Sequence, residues 1–180
     1  MADELDFDEF YEASFRRIVG QVYAMVGGGG RGGSIAEAED AVQEAFARAW
    51  QNWNKISSYG DTEAWVRGVA FRISVSSWRK TVNRFTAHRR QAAESSDDLP
   101  GLSPDRLAVA TALQKIAPEL RQVIVLHHLL DRSVEEISRE TGVPSGTVKA
   151  RLVRGRKALA PHLSEFANEA KNEKEGNSYV

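Results

Sequence analysis

The tripeptide Gly142-Val143-Pro144 divides two short helical patterns and limits what the C-terminal part of this chain can fold into. Ser133 to Thr141 makes the first pattern. The second, Pro144 to Leu159, places Val148, Leu152, Gly155 and Leu159 at intervals of four, three and four, one face of a helix. Its remaining circumference carries Lys149, Arg151, Arg154, Arg156 and Lys157, five cations with no anion among them. Ser145, next to Pro144, suits an N-cap. Two short helices joined by a tight turn, the second one basic, predict a helix-turn-helix with its recognition helix, and so contact with duplex DNA.

The net charge of −1 over 180 residues conceals how charge is arranged. Residues 61–92 and 145–163 each carry a net of +5, between acidic stretches. Each block can neutralise phosphates, and binding through them is expected to weaken steeply with salt. The chain has no cysteine, which excludes disulfide frameworks, thiolate metal sites and cysteine nucleophiles. The acidic start, Met1 to Asp6, lacks the order of a signal peptide. No apolar run approaches the roughly 18 residues a membrane span needs. A soluble, cytoplasmic protein without membrane insertion is expected.

Helical periodicity runs through the chain, and strand signals are scarce. A first helix is expected from Asp8 to Val26, with Phe7, Tyr11, Ser14, Ile18, Val22 and Met25 on one stripe. Gly27 to Gly33 breaks it. Ser34 can cap a second helix, Ile35 to Trp53, with Val42, Phe46, Ala49, Trp50 and Trp53 at helical spacing. A polar loop from Asn54 to Asp61 precedes a third helix, Thr62 to Val82. Residues 83–105 lose apolar periodicity, pass from basic to acidic and contain Pro100, Gly101 and Pro104, the marks of a flexible linker. Periodicity returns at Leu107 and leads into the helix-turn-helix. The expected fold is all-α: two small helical domains, 7–82 and 106–163, a linker over 83–105, and a polar tail over 164–180 that frays.

The second helix presents Asp40, Gln43, Glu44, Ala47 and Gln51 on one polar face. On physical grounds this serves either as a solvent face or as a docking face for a basic partner helix. The third helix and its preceding loop interleave aromatics with cations: Lys55, Tyr59, Trp65, Arg67, Phe71, Arg72, Trp78, Arg79 and Lys80. Such a mixture suits single-stranded nucleic acid, where bases stack and phosphates pair. The tryptophans serve equally well as core, so the cations are the firmer candidates. The glycine-rich stretch is no phosphate loop, because Gly33 stands where lysine is required and a helix precedes it. His127 and His128, adjacent on a helix, point in different directions, and no metal site is expected from four histidines. No catalytic constellation is recognisable.

The string Ala38-Glu39-Asp40-Ala41-Val42-Gln43-Glu44-Ala45-Phe46, followed by Pro144 to Leu159, resembles the extracytoplasmic-function (ECF) sigma factors of bacterial RNA polymerase. The likeness covers roughly Phe7 to Leu163. It implies that 7–82 is sigma region 2, docking on a coiled coil of the polymerase largest subunit through Asp40, Gln43, Glu44, Phe46 and Arg48. It also implies melting and reading of the −10 element by the loop Lys55 to Glu63 and the following helix, with Lys55, Ser57, Tyr59, Trp65, Arg67, Arg72, Arg79 and Lys80 on the opened strand. A flipped base would sit against that loop. Region 4, 106–163, would hold the −35 duplex through Ser145, Thr147, Lys149, Arg151, Val153, Arg154, Arg156 and Lys157. Its first helices, including Pro118 to Arg121, would touch the flap of the second-largest subunit.

The linker resembles one that threads the active-centre cleft and RNA-exit path. An anti-sigma factor is an expected further partner, and no cofactor, metal or catalytic residue is implied. Arg72 stands where many relatives carry asparagine, so the −10 base preference is not transferable. The Gly27–Gly33 insertion is longer than usual. The alternative is a stand-alone helix-turn-helix regulator whose N-terminal domain senses a ligand or dimerises.

Overall fold

The computed structural model describes residues 6–27, 34–85 and 104–176, with side chains described over 6–27, 34–77 and 109–164. The flexible linker expected over 83–105 therefore falls almost wholly outside the described residues, as does most of the glycine-rich insertion. The elements are helical throughout: α1 Phe7–Val26, α2 Ile35–Gln51, α3 Trp53–Ile56, α4 Thr62–Phe85, α5 Pro104–Gln114, α6 Pro118–His128, α7 Val134–Thr141 and α8 Ser145–Gly176. Among the described residues no helix is long and apolar enough to cross a membrane.

Local chemistry sets the boundaries. Asp6 caps α1 by accepting the Asp8 N–H. Ser34 and Glu37 close a reciprocal capping box on α2, satisfying two backbone donors that the first turn leaves open. Pro118 opens α6, where the missing N–H costs nothing. The polar loop expected after α2 folds in part: residues 53–56 form a single turn, α3. Its Ile56 is buried, and the Ile56 carbonyl accepts the Thr62 hydroxyl at 3.3 Å. Asp61 then caps α4 by accepting the Ala64 N–H at 2.8 Å.

The N-terminal helices share a core of Phe10, Ile18, Val22, Val42, Phe46, Ala49, Ile56, Val66 and Val69, among others. Phe46 lies at its aromatic centre, with ring centroids 4.9 Å from Tyr11, 5.5 Å from Phe10 and 5.9 Å from Phe15. A second core joins Leu113, Val123, Ile124, Leu126, Ile137, Val148, Leu152 and Leu159 of the C-terminal helices. Met25 of α1 and Phe71 of α4 belong to this second cluster. The two units expected to hang on a tether are thus packed against each other.

Two further expectations change. Helix α8 runs on to Gly176 through Pro161, where fraying was expected after Leu163. The continuation is rich in Ala, Glu and Lys, strong helix formers that favour the helix beyond the proline. The rings of His127 and His128 do not diverge; they meet edge to face with centroids 4.8 Å apart.

Candidate nucleic-acid interface

The helix-turn-helix is built as the sequence suggests. Ser133 and Glu136 form a capping box at the start of α7. Gly142 ends it in the left-handed region, with φ of 72°, and donates its N–H to the Ser138 carbonyl. The Pro144 carbonyl accepts the Val148 N–H at 3.0 Å. Pro144 is therefore the cap and Ser145 the first residue inside α8, one position later than expected for Ser145.

Val148, Leu152, Gly155 and Leu159 are all buried. That orientation turns Lys149, Arg154, Arg156 and Lys157 to solvent together with Ser145, while Thr147 and Arg151 are half-buried. Val153 is 58 % exposed among these cations, an apolar contact of the kind a thymine methyl accepts. The field of this face reaches His128, whose pKa is lowered by burial first and then by His127 and Arg156.

The second basic block divides. Lys55, Tyr59 and Arg72 are exposed and Ser57 is half-buried. Trp65 is half-buried and packs on the first core. Between α2 and α4 runs a groove of about 550 Å³ that brings Arg48 and Asn52 alongside Trp65, Arg72, Ser76 and Ser77. Arg79 and Lys80 lie on α4, and their side chains are outside the described residues.

Arg67 departs from the expectation of a DNA-facing cation. Its side chain is 1 % exposed and forms a two-pronged ion pair with Glu140 of α7, Nε to Oε1 at 2.7 Å and Nη2 to Oε2 at 2.8 Å. Nη1 donates to Gln21 Oε1 at 2.9 Å. A charge inside the buried run 66–71 needs such a partner, since an isolated ion there is prohibitively costly. The loop before α4 and the helix's first turn are tied as well: Asp61 pairs with Arg132 at 2.6 Å, and Glu63 with Arg17.

On the candidate docking face, Asp40, Gln43, Glu44 and Arg48 are exposed, and Arg48 pairs with Glu44 one turn away at 2.9 Å. Phe46 is not part of this face. It is 2 % exposed because positions 42, 45, 46 and 49 turn inward together. The apolar group outside is Trp50, 61 % exposed with its ring against Phe7 at 4.8 Å. The sequence reading put Trp50 on the inward stripe. Leu129, 52 % exposed after α6, was likewise missed.

Comparison with known proteins identifies two family regions along the chain. The family described as Sigma-70 region 2 matches residues 10–85, and Sigma-70, region 4 matches residues 106–159. The ECF RNA polymerase sigma factor SigL of Mycobacterium tuberculosis is 34 % identical over 142 residues, which cover 74 % of this chain and 78 % of that protein. RNA polymerase sigma-E factor of Streptomyces coelicolor is 26 % identical over 163 residues, 91 % of this chain and 89 % of the relative. Among solved structures, the sigma factor RpoE in complex with the anti-sigma factor NepR from Bartonella quintana has a TM-score of 0.70 at 19 % identity. The match spans 88 % of this chain and 97 % of that one.

Proposed function

This chain belongs to the ECF RNA polymerase sigma factors of the sigma-70 family, and from that membership we propose how its residues divide the work of promoter selection. The protein is an initiation factor: it binds core RNA polymerase and directs it to promoters with −35 and −10 elements. The observation that carries this reading is the order of two DNA handles, region 2 then region 4, the second with an exposed basic face laid over a buried apolar one.

Lys149, Arg151, Val153 and Arg154 read the −35 duplex, with Ser145, Thr147, Arg156 and Lys157 holding phosphates. Lys55, Ser57, Tyr59, Trp65, Arg72, Arg79 and Lys80 handle the opened −10 strand, the groove beside Trp65 and Arg72 offering an apolar wall and a cation together. Asp40, Gln43, Glu44 and Arg48 dock on the largest subunit, with Trp50 in place of Phe46 as the apolar anchor. The helices α5 and α6 meet the flap. Neither handle needs high affinity alone, because polymerase joins them and raises the effective concentration of each for its element.

The factor works beside polymerase in the cytoplasm and carries no catalytic residue of its own. The relative of known structure was solved with an anti-sigma factor; a partner of that kind here competes for the faces that polymerase uses. Start-site mapping after expression of the chain tests the reading. New starts preceded by two shared elements support it; an unaltered transcript map contradicts it.

A further inference from the structure

We propose that the cleft between α4, α6 and the helix-turn-helix binds a small diphosphate anion, held by Arg72, Arg151 and the buried amide of Gln122. The site makes no use of promoter or polymerase and so goes beyond the sigma-factor reading.

Gln122 is 6 % exposed, yet its side-chain amide has no hydrogen-bond partner among the described residues. A buried amide left unpaired is costly, and native interiors hold few such groups. The residues that follow it on α6, Val123 to Leu126, are buried and apolar, so packing alone gives no reason for an amide here. The amide lines a cleft of about 180 Å³, room for roughly six waters at ~30 Å³ each. Two cations line the same cleft, Arg72 from α4 and Arg151 from α8. Neither has a hydrogen bond or ion pair with a described residue. Arg17, Arg48, Arg67 and Arg132 all close on carboxylates, and Arg121 on carbonyls.

The carboxylates of the cleft, Glu119 and Glu140, do not cancel this pair. Glu140 is already gripped by Arg67 through two bonds, and Glu119 is not free either. With Arg67 counted, three arginines meet two glutamates and the balance is positive. Gly68 leaves room beside them. A Cβ there would stand 3.4 Å from the Glu140 carbonyl oxygen and 3.6 Å from Arg72 Nη1, ordinary contacts that alanine could make without a clash. Alanine is also the better helix former. Glycine at this position therefore weakens α4 and keeps the cleft open between Arg72 and Glu140.

This donor set selects the anion. A guanidinium grips phosphoryl oxygens through paired N–H bonds, and an amide adds two neutral donors. Two guanidiniums on separate helices match two phosphoryl groups better than one. Phe71, Val75 and Val143 complete the lining with apolar surface, beside which charge-assisted bonds strengthen. Free pyrophosphate and the diphosphate of a nucleotide share this chemistry.

Calorimetric titration of the full chain with pyrophosphate, and separately with adenosine diphosphate, tests the site. Saturable one-to-one binding is expected. Binding of pyrophosphate alone identifies the free anion, and binding of the nucleotide identifies the shared group. Arg72→Gln and Arg151→Gln should each weaken it about tenfold or more, the loss of a charged hydrogen-bond partner. Arg16→Gln, which removes an exposed cation outside the cleft, should not. Gly68→Ala and Gln122→Met should also weaken binding while thermal stability holds or rises. A glutamine with a purely structural role would instead lower stability on substitution and leave binding unchanged. No saturable binding of either anion overturns the proposal, as does equal affinity across all variants, the mark of diffuse attraction to basic surface. Binding of a single-stranded oligonucleotide only assigns the cleft to the promoter strand and overturns it too. Each outcome is read on the isolated chain, so failure here leaves the transcription reading standing.

Discussion

A Cβ added to Gly155 would come within 2.8 Å of Ile124 Cγ1 and 3.1 Å of Cδ1, so α8 lies against α6 at a position without a side chain. The Leu120 carbonyl oxygen, 3.4 Å from the same point, limits sideways escape. Gly155→Ala is expected to destabilise region 4 by about 1–3 kcal/mol, the usual range for overpacking, reduced by alanine's better helix propensity. Urea denaturation reads this directly. In an Ile124→Ala background the same substitution should cost less, a coupling between neighbours that a double-mutant cycle measures.

Arg121 makes a second prediction. It is 4 % exposed, and its guanidinium donates to the carbonyls of Gly27, Gln114 and Ile116, closing the ends of α1 and α5. Burial pushes its pKa down to about 10, still far enough above neutrality to keep the charge. Arg121→Met should cost about 1–3 kcal/mol for each carbonyl left without a donor. Arg121→Lys should recover only part, because one ammonium cannot reach three carbonyls as a planar fork does.

The capping box of α7 gives a pH dependence. The Glu136 carboxylate accepts the Ser133 N–H at 2.8 Å, and its pKa is lowered below 4.5, first by that backbone bond and then by the Ser133 hydroxyl. A carboxylate whose pKa is depressed by folding contributes fully above its unfolded value and loses that contribution as pH falls through the folded one. Amide protection in the first turn of α7, measured relative to the intrinsic exchange rate, should therefore fall as pH drops below the ordinary glutamate range. Glu136→Gln should remove this acid response, whereas Ser133→Ala, which keeps the backbone N–H, should remove only the smaller part that the hydroxyl contributes.

The parts of the molecule written in local chemistry were legible from the sequence. Spacing alone identified the inward face of α8, and Ser133, Gly142 and Pro144 marked the helix-turn-helix. What escaped depended on partners far along the chain. Periodicity put Arg67 on a helix but gave no sign of Glu140, although a single charge inside Val66 to Phe71 is a signal that a buried partner exists. Phe46 and Trp50, one turn apart, share a single stripe in the sequence, and periodicity has no sign that tells which of the two the facing helix covers. Met25 and Phe71 belong to the second core for the same reason: hydrophobic stripes show what is buried, not against which domain.

Substitutions on α8 should separate reading from holding. Arg154 is exposed on the basic face, and Arg154→Ala should weaken −35 binding by about 1–3 kcal/mol and relax base preference where it contacts a base edge. Lys157→Ala, at a phosphate, should weaken all promoters evenly and reduce the salt slope by about one. Holoenzyme binding to −35 variants across a salt series distinguishes the two.

Run-off transcription from mapped promoters, with purified core polymerase and this chain alone, tests the central claim most directly. The account predicts transcripts that begin at the mapped starts only when the chain is added, and that disappear when either upstream element is changed. Tight duplex binding by the isolated chain, with no transcript on adding core enzyme, would contradict it.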